Sequence, residues 1–546
     1  MTNFRTKKAR EKLLHSFGKL KSESFDMEQI ESYFRKKDHS GAFQVLSDKT
    51  CNDLDFQELY LFVDRTNSKI GQQFLYNRLR TIPSHSNEIT GFETLIEKFA
   101  NEPDFRVNIQ SELARLNDRE AFYITSLFQE EHLKPPKWFF IVRLLAFTSL
   151  LSLVMMIFNP SLIFIFLGVF VINMGVHYWN KKNLFEYLAS LPQLLKLSKV
   201  AKELFKNDAL KEINPNLQQS TDILDQVRNR MSFFNLEVKL QSDMQVFFWG
   251  VLEIFKIAFL IEPLLLFGVL KRLENKRKEI ETIFEFVGHI DTLISIASFR
   301  HGLEKYCIPE ISKKQKHLIA EEAYHPLIPE CVKNSITVDG KSILLTGSNM
   351  SGKTSFIRTI GINAITAMTL NTCFADRFSL PRLKVFSAIR ISDDLMNDKS
   401  YYFEEVLTIK EMVDNSFSSI SNLFLLDEIF KGTNTVERIS AGKAVLSALT
   451  KENNLVFVST HDIELADLLK DEYELYHFSE KVDHKTVAFD YTLKDGKLKN
   501  RNAIRILQIN DYPESIIAEA IALAKQLDKT AMNLQSEHVA EPAGIR

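Results

Sequence analysis

Between residues 138 and 179 the alternation of apolar and polar positions that marks a water-exposed helix disappears. Trp138 to Phe158 is apolar except for Arg143, Thr148, Ser149 and Ser152, and Ser161 to Trp179 is apolar apart from Asn173 and His177, with Asn159-Pro160 as a turn between them. Each arm is about 20 residues, and at about 1.5 Å per residue each just spans a hydrocarbon layer of about 30 Å. Trp138, Tyr178 and Trp179 stand at the ends, where interfacial aromatics belong. Lys134 and Lys137 precede the first arm, Lys181-Lys182 follow the second, and the turn carries no charge. The positive-inside rule then puts both flanks in the cytoplasm. The expectation for 138–180 is a transmembrane helical hairpin, with the lipid bilayer as partner and the cytoplasmic membrane as location. The competing reading is a hairpin buried in a large soluble core, although such cores rarely offer two adjacent helices that are apolar all round.

Phe247 to Leu270 is a third apolar run, interrupted by Glu253, Lys256, Glu262 and Pro263. It reads as one long, mostly buried soluble helix, with membrane contact as the minor alternative and with Glu253 and Lys256 on a shared face and able to pair. From 181 to about 318 apolar clusters alternate with Lys/Glu-rich stretches at helical spacing, as in Val269 to Phe286. After about 320 short β-branched or aliphatic runs appear (Ser342–Thr346, Phe424–Leu426, Leu455–Ser459), separated by helical patterns, which predicts an α/β domain with a largely parallel sheet. Val487–Leu493 followed by Asp495-Gly496 reads as a strand and hairpin turn, Pro513 to Leu527 as a helix, and 529–546 as a disordered tail. The expected partition is a basic helical segment (1–49), a helical core in two parts (50–137 and 181–318) interrupted by the hairpin (138–180), an α/β domain (319–510), and a C-terminal helix with its tail (511–546).

Composition narrows the partners. The 546 residues carry 68 Lys+Arg against 70 Asp+Glu, a net charge of −2, so no global charge draws the chain to nucleic acid or anionic lipid. Eighteen glycines and 43 phenylalanines fit a helix-rich protein with unusually apolar stretches. Cys51, Cys307, Cys331 and Cys373 are widely spaced, which excludes a zinc ribbon and offers no disulfide framework. The amino terminus is basic but no apolar stretch follows it, so a secretory signal is not expected.

The chemistry lies after residue 340. Gly347-Ser348-Asn349-Met350-Ser351-Gly352-Lys353-Thr354, followed by Ser355, satisfies GxxxxGK[ST] between an expected strand and an expected helix. In that pattern the glycines let backbone N–H groups turn around phosphates, Lys353 reaches the β and γ oxygens of ATP, and the Thr354 hydroxyl ligates Mg²⁺. Phe424-Leu425-Leu426-Asp427-Glu428 supplies a second segment, with Asp427 for the metal and Glu428 to orient or deprotonate the attacking water. His461, just after the strand Leu455–Ser459, stands where a γ-phosphate sensor is needed.

These residues resemble the MutS family of ATPases. Gly347-Ser348-Asn349-Met350 with Gly352-Lys353 is similar to the family's nucleotide loop, and Asp427-Glu428-Ile429 with Gly432-Thr433-Asn434-Thr435 to its Asp-Glu-Ile…Gly-Thr-x-Thr stretch. Ser459-Thr460-His461 resembles its switch loop, and Tyr324-His325-Pro326 the segment leading into the ATPase. Leu59 to Arg80, with Asp64-Arg65-Thr66 and Gly71-Gln72-Gln73, is similar to the start of its helical core. The resemblance implies an ABC-type P-loop ATPase domain preceded by an all-α core, here interrupted by the transmembrane hairpin. It further implies a Mg-dependent, ATP-hydrolysing homodimer in which Ser400 contacts the ATP of the opposite protomer; the family's Thr and Phe after that serine are Tyr401 and Tyr402 here. DNA is the partner, and mismatch repair the role, that the resemblance alone implies.

About 50 residues precede the core, too few for the large domain that carries the family's Phe-x-Glu wedge, and Phe56-Gln57-Glu58 and Phe128-Gln129-Glu130 match that tripeptide by accident. The expected protein is therefore a membrane-associated branch of the family without the mismatch-recognition domain. The alternatives are an ABC-type membrane ATPase and a nucleotide-gated scaffold that does not act on DNA.

Overall fold

The computed structural model describes residues 2–526 apart from 86–89, 228–245, 349, 391–400, 483–486, 499–502, 511 and 525. The chain forms two compact units, one of residues 1–45, 57–304 and 368–371, the other of 46–56, 305–367 and 372–546. The expected boundary at 318/319 thus lies inside the second unit, because Glu310–Ser312 already pairs with Arg377–Pro381 in a sheet of that unit.

The first unit is helical and is organised around the 25-residue helix Arg277–His301, whose residues from Ile280 to Arg300 are mostly buried. Asp291 of this helix is fully buried, and its carboxylate accepts from Asn67 N (2.8 Å), Asn67 Nδ2 (2.9 Å), Ser68 N (2.8 Å) and Ser68 Oγ (2.6 Å). Four donors satisfy the carboxylate and fix the start of helix Lys69–Arg80. Gly71 is required there: a Cβ at this position would lie 2.2 Å from Asp291 Oδ2. Asp64 is equally buried and accepts from Thr66 N, Gln72 Nε2 and Lys21 Nζ at 2.8–3.0 Å. The Asp64-Arg65-Thr66 and Gly71-Gln72-Gln73 signatures are thus packing signals. Phe56 and Phe128 are both buried, so neither presents a ring to a DNA base.

The apolar segment folds as a helical hairpin. We name its helices α1 (Phe139–Met155, 17 residues) and α2 (Ile163–Asn183, 21 residues). Asn159 caps the turn by accepting from Ser161 N at 3.2 Å. The first helix ends three residues earlier than the apolar run, leaving Ile157 and Phe158 in the turn, each 81% exposed. Pro160–Asn183 is long and apolar enough to cross a membrane and is only 11% buried; Ile261–His301 also qualifies but is 83% buried, as the core helix of any soluble protein can be. The hairpin is therefore not enclosed in a soluble core: Phe140, Leu144, Phe147, Phe164 and Val171 face outward, while Ser149, Ser152, Asn173, His177 and Asn180 face inward.

The run 247–270 departs from the single buried helix expected. It forms two helices, α3 (Val246–Phe259) and α4 (Ile261–Leu273), broken at Leu260, whose φ of 48° is left-handed. Pro263 explains the break: it has no N–H for the Phe259 carbonyl, and its ring crowds that carbonyl in a continuous helix. Both helices pack on the hairpin, with Leu260 against Phe139 and Val142.

The second unit contains a six-stranded sheet of β1 (Ser342–Thr346), β2 (Lys384–Ala388), β3 (Asn422–Asp427), β4 (Leu455–Thr460), β5 (Tyr473–His477) and β6 (Lys494–Asp495), in spatial order β6-β5-β1-β4-β3-β2. All neighbours are parallel except the β5/β6 pair. The strand expected over 487–493 stops at Phe489, and Lys494–Asp495 instead extends the main sheet; Gly496 turns with φ 83°. A second sheet orders Glu310–Ser312, Arg377–Pro381, His317–Ala323 and Asn334–Asp339. The short helix Asp48–Asp53 also belongs to this unit: buried Asp53 accepts from Ser387 Oγ (2.7 Å), Ile389 N (3.0 Å) and Arg390 N (2.8 Å). Residues 514–524 are helical, and the expected tail at 529–546 lies outside the described residues.

Candidate functional site

The parallel register fixes the site. Thr346 pairs with Thr460, and Asp427 pairs with Ser459, so β1, β3 and β4 end side by side and release Gly347, Glu428 and His461 at one edge. Buried aliphatic strands in a parallel sheet place polar residues in this way, at their carboxyl ends and where the order of strands reverses.

The loop after β1 leads into helix Lys353–Leu370. Gly347 (φ 154°) and Gly352 (φ 109°) take conformations that favour glycine, and Met350 (φ 67°) is exposed. Lys353 is buried, and its Nζ donates to the carbonyls of Gly347 (2.9 Å) and Ser348 (2.8 Å), a cation held inside its own loop. Burial pulls its pKa down, and Glu428 and Asp427 oppose that pull. Ser351 Oγ donates to the Ser348 carbonyl at 2.8 Å, and half-buried Ser355 accepts from Thr359 Oγ1 at 2.8 Å. Asn349 and Ser400 lie outside the described residues.

Thr354 Oγ1 donates to Asp427 Oδ2 at 2.7 Å, and Ser459 Oγ bonds the other oxygen of that carboxylate. A hydroxyl and a carboxylate so placed are hard oxygen donors, the chemistry that suits Mg²⁺. Among the described residues no group of three or more His, Cys, Asp or Glu forms a metal cluster, so a cation here would rest on these two protein oxygens with phosphate and water. Glu428 adopts φ 53°, its N–H donates to the Ser459 carbonyl (3.0 Å), and its carboxylate meets His461 Nε2 (2.7 Å) and Lys431 Nζ (2.9 Å).

Burial pushes the Glu428 carboxyl up, but His461 and Lys431 outweigh it and hold the group at about 2. Its folded value lies below the ordinary glutamate value of about 4.3, so its contribution to stability is complete above that value and is lost as pH falls toward 2. Lys431→Met is expected to move this titration upward, read as the carboxylate band in difference infrared spectra with Glu428→Gln as the blank. An unmoved titration would show that Lys431 does not hold the charge.

A cavity of about 560 Å³ opens beside the loop, and its lining includes the polar Lys353, Thr354 and Glu428 and the apolar Ile328, Val332, Phe478 and Tyr491. His325 is buried nearby, and burial lowers its pKa to about 4. The apolar lining, Lys431 and the bond of Ser459 to Asp427 escaped the sequence reading. Lys431 stands three residues after Glu428 and Ser459 two before His461, which was the available signal, whereas the apolar lining comes from two segments more than a hundred residues apart.

Comparison with known proteins adds a family likeness. The MutS domain V family profile matches residues 343–528. The chain is similar to the DNA mismatch repair protein MutS of Aquifex pyrophilus, 28% identical over 253 residues, covering 44% of this chain and 29% of the relative. It is also similar to proteins of that name from Fusobacterium nucleatum subsp. nucleatum, at 28% over 288 residues (49% and 31%), and from Bacillus mycoides, at 25% over 264 residues (46% and 29%). The match thus spans less than a third of each relative's length.

Proposed function

We propose that the chain, whose residues 343–528 match the MutS domain V profile, is a membrane-anchored ATPase of the MutS family that works as a nucleotide-switched dimer. The observation that carries the reading is the convergence of Lys353, Thr354, Asp427, Glu428 and His461 at one sheet edge beside a cavity with apolar lining residues. In this reading the nucleobase packs on Ile328 and Tyr491 and the phosphates enter the 347–354 loop. Lys353 exchanges its two loop carbonyls for β/γ-phosphate oxygens. Mg²⁺ held by Thr354 and Asp427 would supply charge neutralisation at those oxygens. Glu428 orients the attacking water, and releasing Lys431 frees one of its oxygens for that task. His461, already bonded to Glu428, reports the γ-phosphate to the switch.

The dimer follows from the signature placed at Ser400, which in an ABC-type site completes the ATP site of the opposite protomer. A mixture of Lys353→Ala and Ser400→Arg chains is expected to regain turnover, because each heterodimer keeps one intact site. Demonstrated heterodimers without recovered ATP hydrolysis would overturn the composite site. The outward-facing apolar side chains of α1 and α2 support anchoring at the cytoplasmic membrane, with both ends of the hairpin in the cytoplasm.

The relatives are named for DNA mismatch repair, and DNA is the proposed partner on that ground. Binding by insertion of Phe56 or Phe128 is not part of this proposal, since both rings are buried. Duplex or branched DNA bound through phosphates must lose affinity as salt rises; binding indifferent to salt would remove DNA from the reading.

A further inference from the structure

Helix α3 carries its polarity inside out. Val251, Ile254 and Phe255, spaced to share one face, are exposed, while Glu253 and Lys256 point into the protein and Lys256 has no exposed surface. A helix against water does the reverse. The inward charges are closed into a network: Lys256 Nζ lies 2.6 Å from Glu253 Oε2 and 2.5 Å from Glu262 Oε1 of α4. Buried His177 of α2 stands between the two carboxylates, with Nε2 3.2 Å from Glu253 Oε1 and Nδ1 3.5 Å from Glu262 Oε2. Lys181 Nζ, one turn further along α2, also lies 3.2 Å from Glu253 Oε1.

These contacts give the depth to which the pair of helices reaches. At the Lys181 end, Glu253 of α3 meets α2, and Phe267 of α4 meets Phe139 of α1 with ring centroids 4.8 Å apart. Further in, Asn173 Nδ2 donates to the Ala258 carbonyl at 2.8 Å and lies 3.4 Å from Ser149 Oγ. Ser149 lies eleven residues beyond Trp138 and Asn173 six before Trp179, about 9–16 Å from those interfacial aromatics at about 1.5 Å per residue. That is a third to a half of a hydrocarbon layer about 30 Å thick. The chain then reverses at buried Leu260 and returns. A helix broken at such a depth frees carbonyls that lipid cannot bond, and non-helical backbone survives there only when protein groups satisfy it. Asn173 does this for Ala258.

We propose that α3 and α4 form a re-entrant hairpin that dips to mid-bilayer beside the α1–α2 hairpin, with acyl chains covering Val251, Ile254 and Phe255 and the Lys256 network sealed within the four helices. The inference rests on the membrane anchor proposed above and extends it to a segment interrupted by three charges and a proline. Ionisable side chains at membrane depth are tolerated when they face the bundle interior and pair with one another, which is the observed arrangement. The apolar belt continues from α1 and α2 onto α3 with all three charges turned away from it.

The test uses the unaltered full-length protein in liposomes, labelled from within the bilayer by a lipid-soluble aryl diazirine and mapped by mass spectrometry. Adducts are expected on residues 251–255 as well as on 140–172, in clear excess over 280–297, an apolar stretch buried in the helical unit. Adducts on 140–172 with 251–255 no higher than 280–297 would overturn the re-entrant hairpin and leave the anchor standing. No excess on 140–172 would overturn the anchor and this inference together.

Discussion

Glu428→Gln is expected to slow ATP turnover by about 10²- to 10⁴-fold while leaving ATP binding intact, the range removed with a positioned acid–base or water-orienting group. The amide keeps the shape and loses the charge. That charge is what His461 and Lys431 meet at 2.7 and 2.9 Å, so the variant should also loosen both contacts, and its nucleotide affinity should hold or rise. Lys353→Ala acts on a different step. It removes the one buried cation that the loop presents to phosphate, so both binding and turnover should be lost. Single-turnover measurements with nucleotide-binding isotherms separate the two effects. Hydrolysis by Glu428→Gln at the wild-type rate would remove Glu428 from the mechanism.

The second large effect concerns the outer face of the hairpin. Leu150→Lys puts a charge at an exposed position near the middle of the apolar pair. A lysine at a bilayer centre costs about 2.5–3.5 kcal/mol on insertion scales, roughly 70- to 400-fold in the insertion equilibrium. The variant should leave the membrane fraction on alkaline extraction, whereas Arg143→Leu should not, because Arg143 is near the helix end and its side chain can reach the interface. The contrast with Lys256 is informative: that lysine has two carboxylates within 2.6 Å and no outward surface. Recovery of the unaltered protein as a soluble species without detergent would refute the anchor.

What the sequence made legible was local. The GxxxxGK[ST] loop, the acidic pair after β3 and the histidine after β4 each announce themselves within a few residues, and a parallel sheet brings strand ends together without further information. The helical hairpin was legible because two long apolar runs meet at Asn159-Pro160. Hidden features were those whose partners are distant. Glu253 reads as an interruption until His177, 76 residues earlier, is placed against it. Continuous hydrophobicity over 247–270 masked the break at Leu260, where the missing N–H of Pro263 outweighs helix propensity. Ile328 and Tyr491 carry no mark of lining one cavity, since each is an ordinary apolar residue in its own segment.

The helix Asp48–Asp53 has a consequence for how the protein is made. Its buried carboxylate finds Ser387, Ile389 and Arg390 only 334 to 337 positions later in the chain. At about 5–20 residues per second of synthesis, the helix emerges from the ribosome and waits on the order of 20–60 seconds before the strand it docks against exists. During that interval the apolar hairpin between them is also synthesised, so residues 46–56 wait without those partners, open to chaperones. The second unit is thus the last to close, after its first-made piece has been held in reserve through most of translation.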